Sequence, residues 1–334
     1  MTGYVIRRIL LLVPILIGVS LIIFFLLQLT PGDPAQMLLG SYASEERVAD
    51  LREKLGLDRP LFVQYFDYIK GILKGNLGTS YTTNRPVMEM IISRFPATFE
   101  LTIFSMFFAT IIAVIFGVTA SIKRNSILDL SFTTFSVLGM ATPAFWLGLL
   151  LLFFFGVILK VMPIGGRIDL EFGLKNYTNI YLLDSIISMN FIAFKNVLHH
   201  LILPAFVLAI YPIAEMSQLT RTNMIEVLNQ DYIRTARAKG IIEKQVIFKH
   251  AFKNVLIPVV TIAGLRLGAQ FAGAILVEII FSWPGIGRLA YDSIHARDYP
   301  VIQGIVLFIA MIFVVINLLV DIIYVYLDPR IKYT

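Results

Sequence analysis

Six stretches of this chain are each long and apolar enough to cross a bilayer: 9–29, 98–120, 130–159, 198–219, 255–280 and 301–327. A hydrocarbon core needs roughly 20 apolar residues in helical form. Lipid offers no partners to open backbone groups, so runs of this kind can only be helices. The fold class expected is therefore an all-α membrane protein with six transmembrane helices in a single transmembrane domain, 1–334. Composition agrees: 57% of the residues are hydrophobic and 15% charged, against about 45–50% and about 25% in soluble chains, and the mean hydropathy is +0.80. This excludes a disordered chain, a nucleic-acid module and a secreted disulfide scaffold. With no cysteine, thiolate zinc sites, iron–sulfur ligation and cysteine nucleophiles are excluded as well. The first stretch starts like a signal peptide, with Arg7 and Arg8 before the apolar run. Its 21 residues exceed the usual apolar region of about 7–15, and Thr30-Pro31-Gly32-Asp33-Pro34 stops it without a small-residue cleavage site, so it reads as a retained span.

Basic residues set the orientation. With the N-terminus inside, the inner segments carry 13 Lys and Arg in 59 residues and the outer segments 14 in 126, and cytoplasmic loops collect such residues. Both termini are expected on the cytoplasmic side of the cell membrane, and the net charge of +6 then needs no anionic ligand. The outer segment 30–97 holds a small helical extracytoplasmic cap. Ser44 can cap a helix that has Glu45 and Glu46 in its first turn, Val48, Leu51 and Leu55 on one side, and Gly56 at its end. A second helix begins near Pro60 with the stripe Phe62, Tyr65, Phe66, Ile69 and Leu73. The cap serves either packing or the docking of a partner.

No phosphate-cradling G-x-x-x-x-G-K-[ST], no H-E-x-x-H and no G-x-S-x-G occurs, so neither ATP binding in the P-loop manner nor the common hydrolase chemistries are encoded here. His199-His200 lacks acidic neighbours in sequence and reads as interfacial. No catalytic, cofactor or metal site is expected, and any uphill work must draw on a partner or an ion gradient. The cytoplasmic segment 220–254 carries seven of the 28 basic residues. Within it, Ile233, Ala236 and Gly240 share one helical face while Arg234, Arg237 and Lys244 point elsewhere. Gly240 permits a sharp turn before a second short helix. The segment is either a rigid knob for a cytoplasmic partner or an anchor on anionic lipid.

Arg234-Thr235-Ala236-Arg237-Ala238-Lys239-Gly240 resembles the coupling loop of binding-protein-dependent ABC importers. The general pattern of those loops is Glu-Ala-Ala, three residues, Gly, nine residues, then Ile-x-Leu-Pro. This chain keeps Ala236 and Gly240 and departs at Arg234, Thr235, His250, Phe252 and Lys253. The peptide and nickel branch reads Asp-Tyr-x-Arg-Thr-Ala-Arg-Ala-Lys-Gly, and positions 231–240 fit it throughout. Leu29-Thr30-Pro31-Gly32-Asp33-Pro34, Leu55-Gly56-Leu57-Asp58-Arg59-Pro60, Gly75-Asn76-Leu77-Gly78, 278–287, Arg297-Asp298-Tyr299 and Asp328-Pro329-Arg330 extend the resemblance over the whole chain. The chain is identified as a member of the dipeptide, oligopeptide and nickel permease B family. The resemblance implies a type I ABC importer transmembrane domain, a homologous second permease, two cytoplasmic ATPases that bind ATP and Mg, and an extracytoplasmic substrate-binding protein. It makes Arg234, Thr235, Ala236, Arg237, Ala238, Gly240 and Glu243 the ATPase-coupling loop of a non-catalytic subunit. Peptides are the expected cargo, with nickel chelates or glutathione the alternatives within the family. A self-contained ion-coupled transporter is the alternative outside it, although no internal repeat links 1–160 to 161–334.

Inside the spans, Arg266 lies eleven residues into the fifth run, where a charge costs at least about 2.5–3.5 kcal/mol. Gly264-x-x-x-Gly268 with Ala272 forms a small-residue stripe for close packing. Arg266 and Gln270 follow on another face, either toward a wet translocation path or with Arg266 bonded to a group of the partner permease. Pro143 interrupts the third run and Pro212 the fourth, as hinges or as fixed shape. Glu215 and Asp321 are expected to pair with basic loop residues. Glu278, Trp283, Pro284, Gly285 and Gly287 are expected to form an outer gate or docking loop, with Glu278 near water, Trp283 in the headgroup belt and the glycines in a tight turn.

Overall fold

A computed structural model describes residues 2–29, 33–40 and 43–327. Thr30-Pro31-Gly32 and the motif Asp328-Pro329-Arg330, with Lys332, lie outside the described residues. The described residues are helical, with one isolated bridge pair, Thr79 and Pro86. In order the helices are α1 (Thr2–Leu29), α2 (Pro34–Leu39), α3 (Glu45–Leu55), α4 (Leu61–Leu73), α5 (Val87–Ile122), α6 (Ile127–Ala141) and α7 (Ala144–Leu151). A π-helical turn (Leu152–Ile158) follows, then α8 (Tyr181–Ile187), α9 (Phe191–Leu228), α10 (Asp231–Ala238) and α11 (Glu243–Gln245). A second π-turn (Val246–Ala251) leads into α12 (Phe252–Ile280), α13 (Ile286–His295) and α14 (Tyr299–Leu327).

Among the described residues four helices are long and apolar enough to cross a membrane: Val87–Ile122, Phe191–Leu228, Glu243–Ile280 and Tyr299–Ile323. The third expected span is not one rod. Its two arms, Ile127–Ala141 and Ala144–Ile158, meet at 105°, and counting them as one span makes five. The cause is local. Thr142 is extended (φ −84, ψ 121) because the ring of Pro143 disfavours the α conformation in the residue before it, and Pro143 itself starts α7 without an N–H to give. Pro204 and Pro212, by contrast, sit inside α9, which is one uninterrupted helix of 38 residues. The apolar stretch Val13–Leu29 lies within α1 (Thr2–Leu29).

The chain divides into two compact units. The first comprises 1–98 and 284–314. Its core is Leu77, Val87, Ile91, Ile286, Ala290, Val301, Ile305 and Leu307, and a Cβ on Gly304 would meet Val87 Cγ1 at 2.6 Å, so a side chain there would part α14 from α5. α3 has the expected bounds, with Glu45 and Glu46 in its first turn and Gly56 closing it at φ +70. Ser44 occupies the N-cap position but makes no side-chain cap bond. The Arg297-Asp298-Tyr299 motif has a structural use. Buried Asp298 accepts from Tyr81 N at 3.0 Å, Thr82 Oγ1 at 2.8 Å and Ser80 Oγ, tying the 78–86 loop to the start of α14. Burial, reinforced by Asp298, pushes the Tyr81 phenol up to about 12.

The second unit comprises 99–283 and 315–334. α9 is its axis: Val197, Leu201, Ile213, Met216 and Met224 are fully buried. Asn190 starts the helix, its side chain accepting from Ala193 N at 3.0 Å. Asp129 accepts a two-point bond from Arg221 (2.6 and 2.9 Å) and fastens α6 to α9. The small-residue stripe of α12 is used in part. Gly264 and Gly268 are buried, whereas Ala272 is exposed, because the 3.6-residue period carries the packed face on to Phe271 rather than to every fourth position. A Cβ on Gly264 would come within 2.0 Å of Val320 Cγ2 and 3.0 Å of its Cβ and Cγ1. No rotamer of Val320 clears all three contacts. Gly264→Ala is expected to cost about 1–3 kcal/mol of stability by overpacking, and Val320→Ala in the same chain to restore most of it. Thermal unfolding of the purified complex measures both.

Candidate functional site

Three groups of candidate residues were expected from the sequence, and they fall in different places. The first, at 231–245, forms two short helices joined by a turn. α10 ends in a Schellman motif: Gly240 N donates to Arg237 O (2.9 Å) and Ile241 N to Ala236 O (3.3 Å), with Gly240 at φ +74. Ile233 and Ala236 are buried with Met216, Met224, Val246, Ile247, Ala251 and Val255. Ala236 thus anchors the helix in the chain's own core. Arg234, Thr235, Arg237, Ala238, Gly240 and Glu243 are exposed. Arg237 bridges the turn to Glu243 through two bonds (3.2 and 2.8 Å), locking α11 to α10. Hydrogen bonding to Arg237 holds the Glu243 carboxyl below the usual range. Exposed Tyr232, Ile242 and Phe248 add apolar surface beside these charges. The result is a braced knob with a mixed basic and apolar face.

The second group separates. Arg266 on α12 makes a two-point ion pair with Glu215 on α9, Nε and one Nη each donating to a carboxylate oxygen. The Tyr211 ring lies 5.0 Å from its guanidinium carbon. Glu215 therefore pairs within the spans and not with a loop residue, and the acid that Arg266 meets belongs to its own chain. Gln270, one turn on, is buried. Its Nε2 donates to Leu208 O at 3.1 Å, and its Oε1 has no hydrogen-bond partner among the described residues. It packs α12 on α9 and does not share an open face with Arg266. Pro143 marks the 105° break between α6 and α7.

The third group runs across the end of α12. Glu278 and Trp283 are both fully buried, which corrects the expectation of a wet carboxylate and a headgroup tryptophan. Trp283 N donates to Glu278 O (2.8 Å) and Ser282 N to Ile279 O (3.2 Å), a second Schellman closure in which Ser282, at φ +49, takes the left-handed position. The sharp turn thus falls on Ser282. Gly285 has negative φ and is the N-cap of α13, while Gly287 is buried inside that helix. Pro284 and the two glycines start α13 and do not themselves make the turn.

Residues 109–333 match the family described as binding-protein-dependent transport system inner membrane component, and residues 1–102 match the N-terminal family of the same systems. This chain belongs to that family. As a binding-protein-dependent transport component, it is similar along its full length to several characterised permeases. It is 48% identical over 333 residues to the dipeptide transport system permease protein DppB of Alkalihalophilus pseudofirmus, covering 100% of both chains. It is 43% identical to the di/tripeptide permease DppB of Pseudomonas aeruginosa, covering 100% of this chain and 99% of that one. The oligopeptide permease AppB of Bacillus subtilis is 41% identical, with 100% of each chain covered.

One further cluster in this inner membrane component lies outside the three expected groups. Arg167, buried in the 159–180 segment, bonds Glu100 of α5 and Asn179 O (3.0 Å), and its guanidinium lies 3.7 Å over Tyr181 and 5.5 Å from the Trp283 ring. Glu100 also accepts from Leu182 N at 2.7 Å. A Cβ on Gly165 would meet Phe281 O at 2.9 Å, so the segment lies directly on the chain reversal after α12. The one local signal was an arginine directly after Gly165-Gly166, in a segment that also carries Lys160, Asp169, Glu171 and Lys175.

Proposed function

We propose that this chain is the non-catalytic permease subunit of an ATP-driven importer of di- or oligopeptides. On this reading it has six spans: α1, α5, the broken α6–α7 pair, α9, α12 and α14. Both termini are cytoplasmic, 30–97 is an outer cap, and the 231–245 knob receives the stroke of the ATPases. A homologous second permease, two ATPases carrying ATP and Mg, and an outer binding protein complete the machine. The observation that carries the reading is the knob itself. Its inner face is sunk in the core, its turn is fixed by a Schellman motif, and its outer face is free, so force applied there reaches α9 and α12 without being lost in a flexible loop. The peptide cargo rests on the names of relatives that match end to end.

The test is substrate-stimulated ATP hydrolysis by the complete complex in nanodiscs, with its binding protein, against a panel of di- to pentapeptides, glutathione and a nickel chelate. Stimulation by peptides is the expected result. A response to nickel or glutathione alone overturns the cargo, and ATP-independent transport by this chain alone in liposomes overturns the whole assignment.

A further inference from the structure

α4 carries an apolar stripe that the chain itself does not cover. Phe62 and Phe66 are each 75% exposed and Leu73 83%, with Leu61 also exposed. At about 100° per residue, Phe62, Phe66, Ile69 and Leu73 fall within an arc of about 60°. A second face of the same helix, some 120° away, packs against α1. Tyr65 Oη and Ser20 Oγ are 3.0 Å apart, Gln28 Nε2 donates to Gln64 Oε1 at 3.3 Å, and the Phe24 ring lies 5.4 Å from Tyr65 and 6.3 Å from Tyr68. A third face carries Asp67, Lys70 and Lys74. A helix with one packed, one apolar and one charged face suits a position at a boundary between water and oil.

The contacts with α1 place that boundary. Ser20 lies nine residues before the end of α1, a depth of about 13 Å at 1.5 Å per residue, whereas Gln28 is at its rim. α4 therefore crosses the outer end of a helix whose own exposed residues there, Ile22, Phe25, Leu26 and Leu29, are all apolar. The stripe continues that surface sideways. Lys70 and Lys74 flank it, with stems long enough to lay along lipid while the ammonium groups reach phosphate.

Resting on the six-span reading of α1, we propose that α4 is an interfacial helix whose Phe62–Phe66–Ile69–Leu73 stripe lies in the outer leaflet. The lipid then fixes the height of the cap, and the charged face of α4, with exposed Asp67, is left facing water. An in-plane helix of this kind needs no protein partner, and the phenylalanines supply the interfacial binding.

Because the chain has no cysteine, spin labels can be placed singly at Phe66→Cys, Leu73→Cys, Asp67→Cys and Ile17→Cys, in the complete complex in nanodiscs with partner cysteines replaced. Collision with oxygen reports lipid, and collision with chromium oxalate reports water. Labels at Phe66 and Leu73 are expected to show several-fold greater oxygen than chromium accessibility, with Asp67 reversed and Ile17 matching the lipid pattern. Chromium-accessible labels at Phe66 and Leu73 overturn the proposal. So do labels shielded from both reagents, which would place a protein on the stripe. A water-exposed Ile17 would instead overturn the spanning role of α1. Phe62→Cys replaces either stripe variant that fails to assemble.

Discussion

Gly240→Val is expected to leave the complex assembled in the membrane while peptide uptake falls by ~tenfold or more, the equivalent of about 1.4 kcal/mol of coupling. The argument is conformational. Gly240 holds φ +74, and an added Cβ would meet nothing within 4 Å, so packing inside this chain is not what demands glycine. A left-handed conformation costs an ordinary L-residue about 1–2 kcal/mol, and β-branching makes it worse. That is too little to unfold a protein held by α9 and α12, but enough to release the Schellman bonds of Gly240 and Ile241 and to misdirect α11. Gly240→Asn separates this cause from others, because Asn tolerates the left-handed region, and uptake near wild type is expected. Gly240→Asp shares that tolerance but adds a negative charge among exposed Arg234, Arg237 and Lys239. It is expected to abolish transport through the partner surface, with insertion intact. Surface labelling measures assembly, while uptake and peptide-stimulated ATP hydrolysis measure coupling. If Asn is as inactive as Val, contact and not backbone strain is what glycine provides; if Asp retains full stimulation, the knob is not the coupling element.

The knob was legible because its determinants are local. A 3.6-residue period and a glycine one place beyond the last turn need no knowledge of the rest of the chain. The same holds for α3, ended by Gly56, and for the break at Thr142-Pro143. What the sequence could not disclose depends on neighbours far along the chain. Trp283 reads as a headgroup residue until Arg167, 116 positions earlier, is placed beside its ring. Gln270 and Arg266 are one turn apart, and helical geometry alone assigns them a common face. Only the closeness of Leu208 and Ser105 shows that Gln270 is enclosed. The turn after α12 misled for another reason: the left-handed position is filled by Ser282, while the glycines that advertise a turn serve to start and pack α13. On α4 the expected stripe divides, since Tyr65 packs on α1 while Phe62, Phe66 and Leu73 stay uncovered.

Removing one partner of the Arg266–Glu215 pair should have the largest structural effect of any single change in the spans. A guanidinium does not lose its proton, so Glu215→Gln leaves a full charge at membrane depth with only the Tyr211 ring and a neutral amide beside it. Breaking a desolvated pair by removing one member costs about 3–5 kcal/mol. The pair here is partly exposed in the isolated chain, at 31% and 24%, which places the expected loss toward the lower end. Arg266→Gln should be similar in direction, and the double change Arg266→Gln with Glu215→Gln milder than either single, because no uncompensated charge remains. Thermal unfolding of the complex in nanodiscs gives the coupling energy directly, and additive losses would mean that the two side chains do not interact. Transport in the double variant then decides what the pair is for. Restored stability with restored uptake makes it a fastening between α9 and α12. Restored stability without uptake means that the charge at Arg266 is needed while cargo passes, because the neutral pair keeps the packing and removes only the electrostatics.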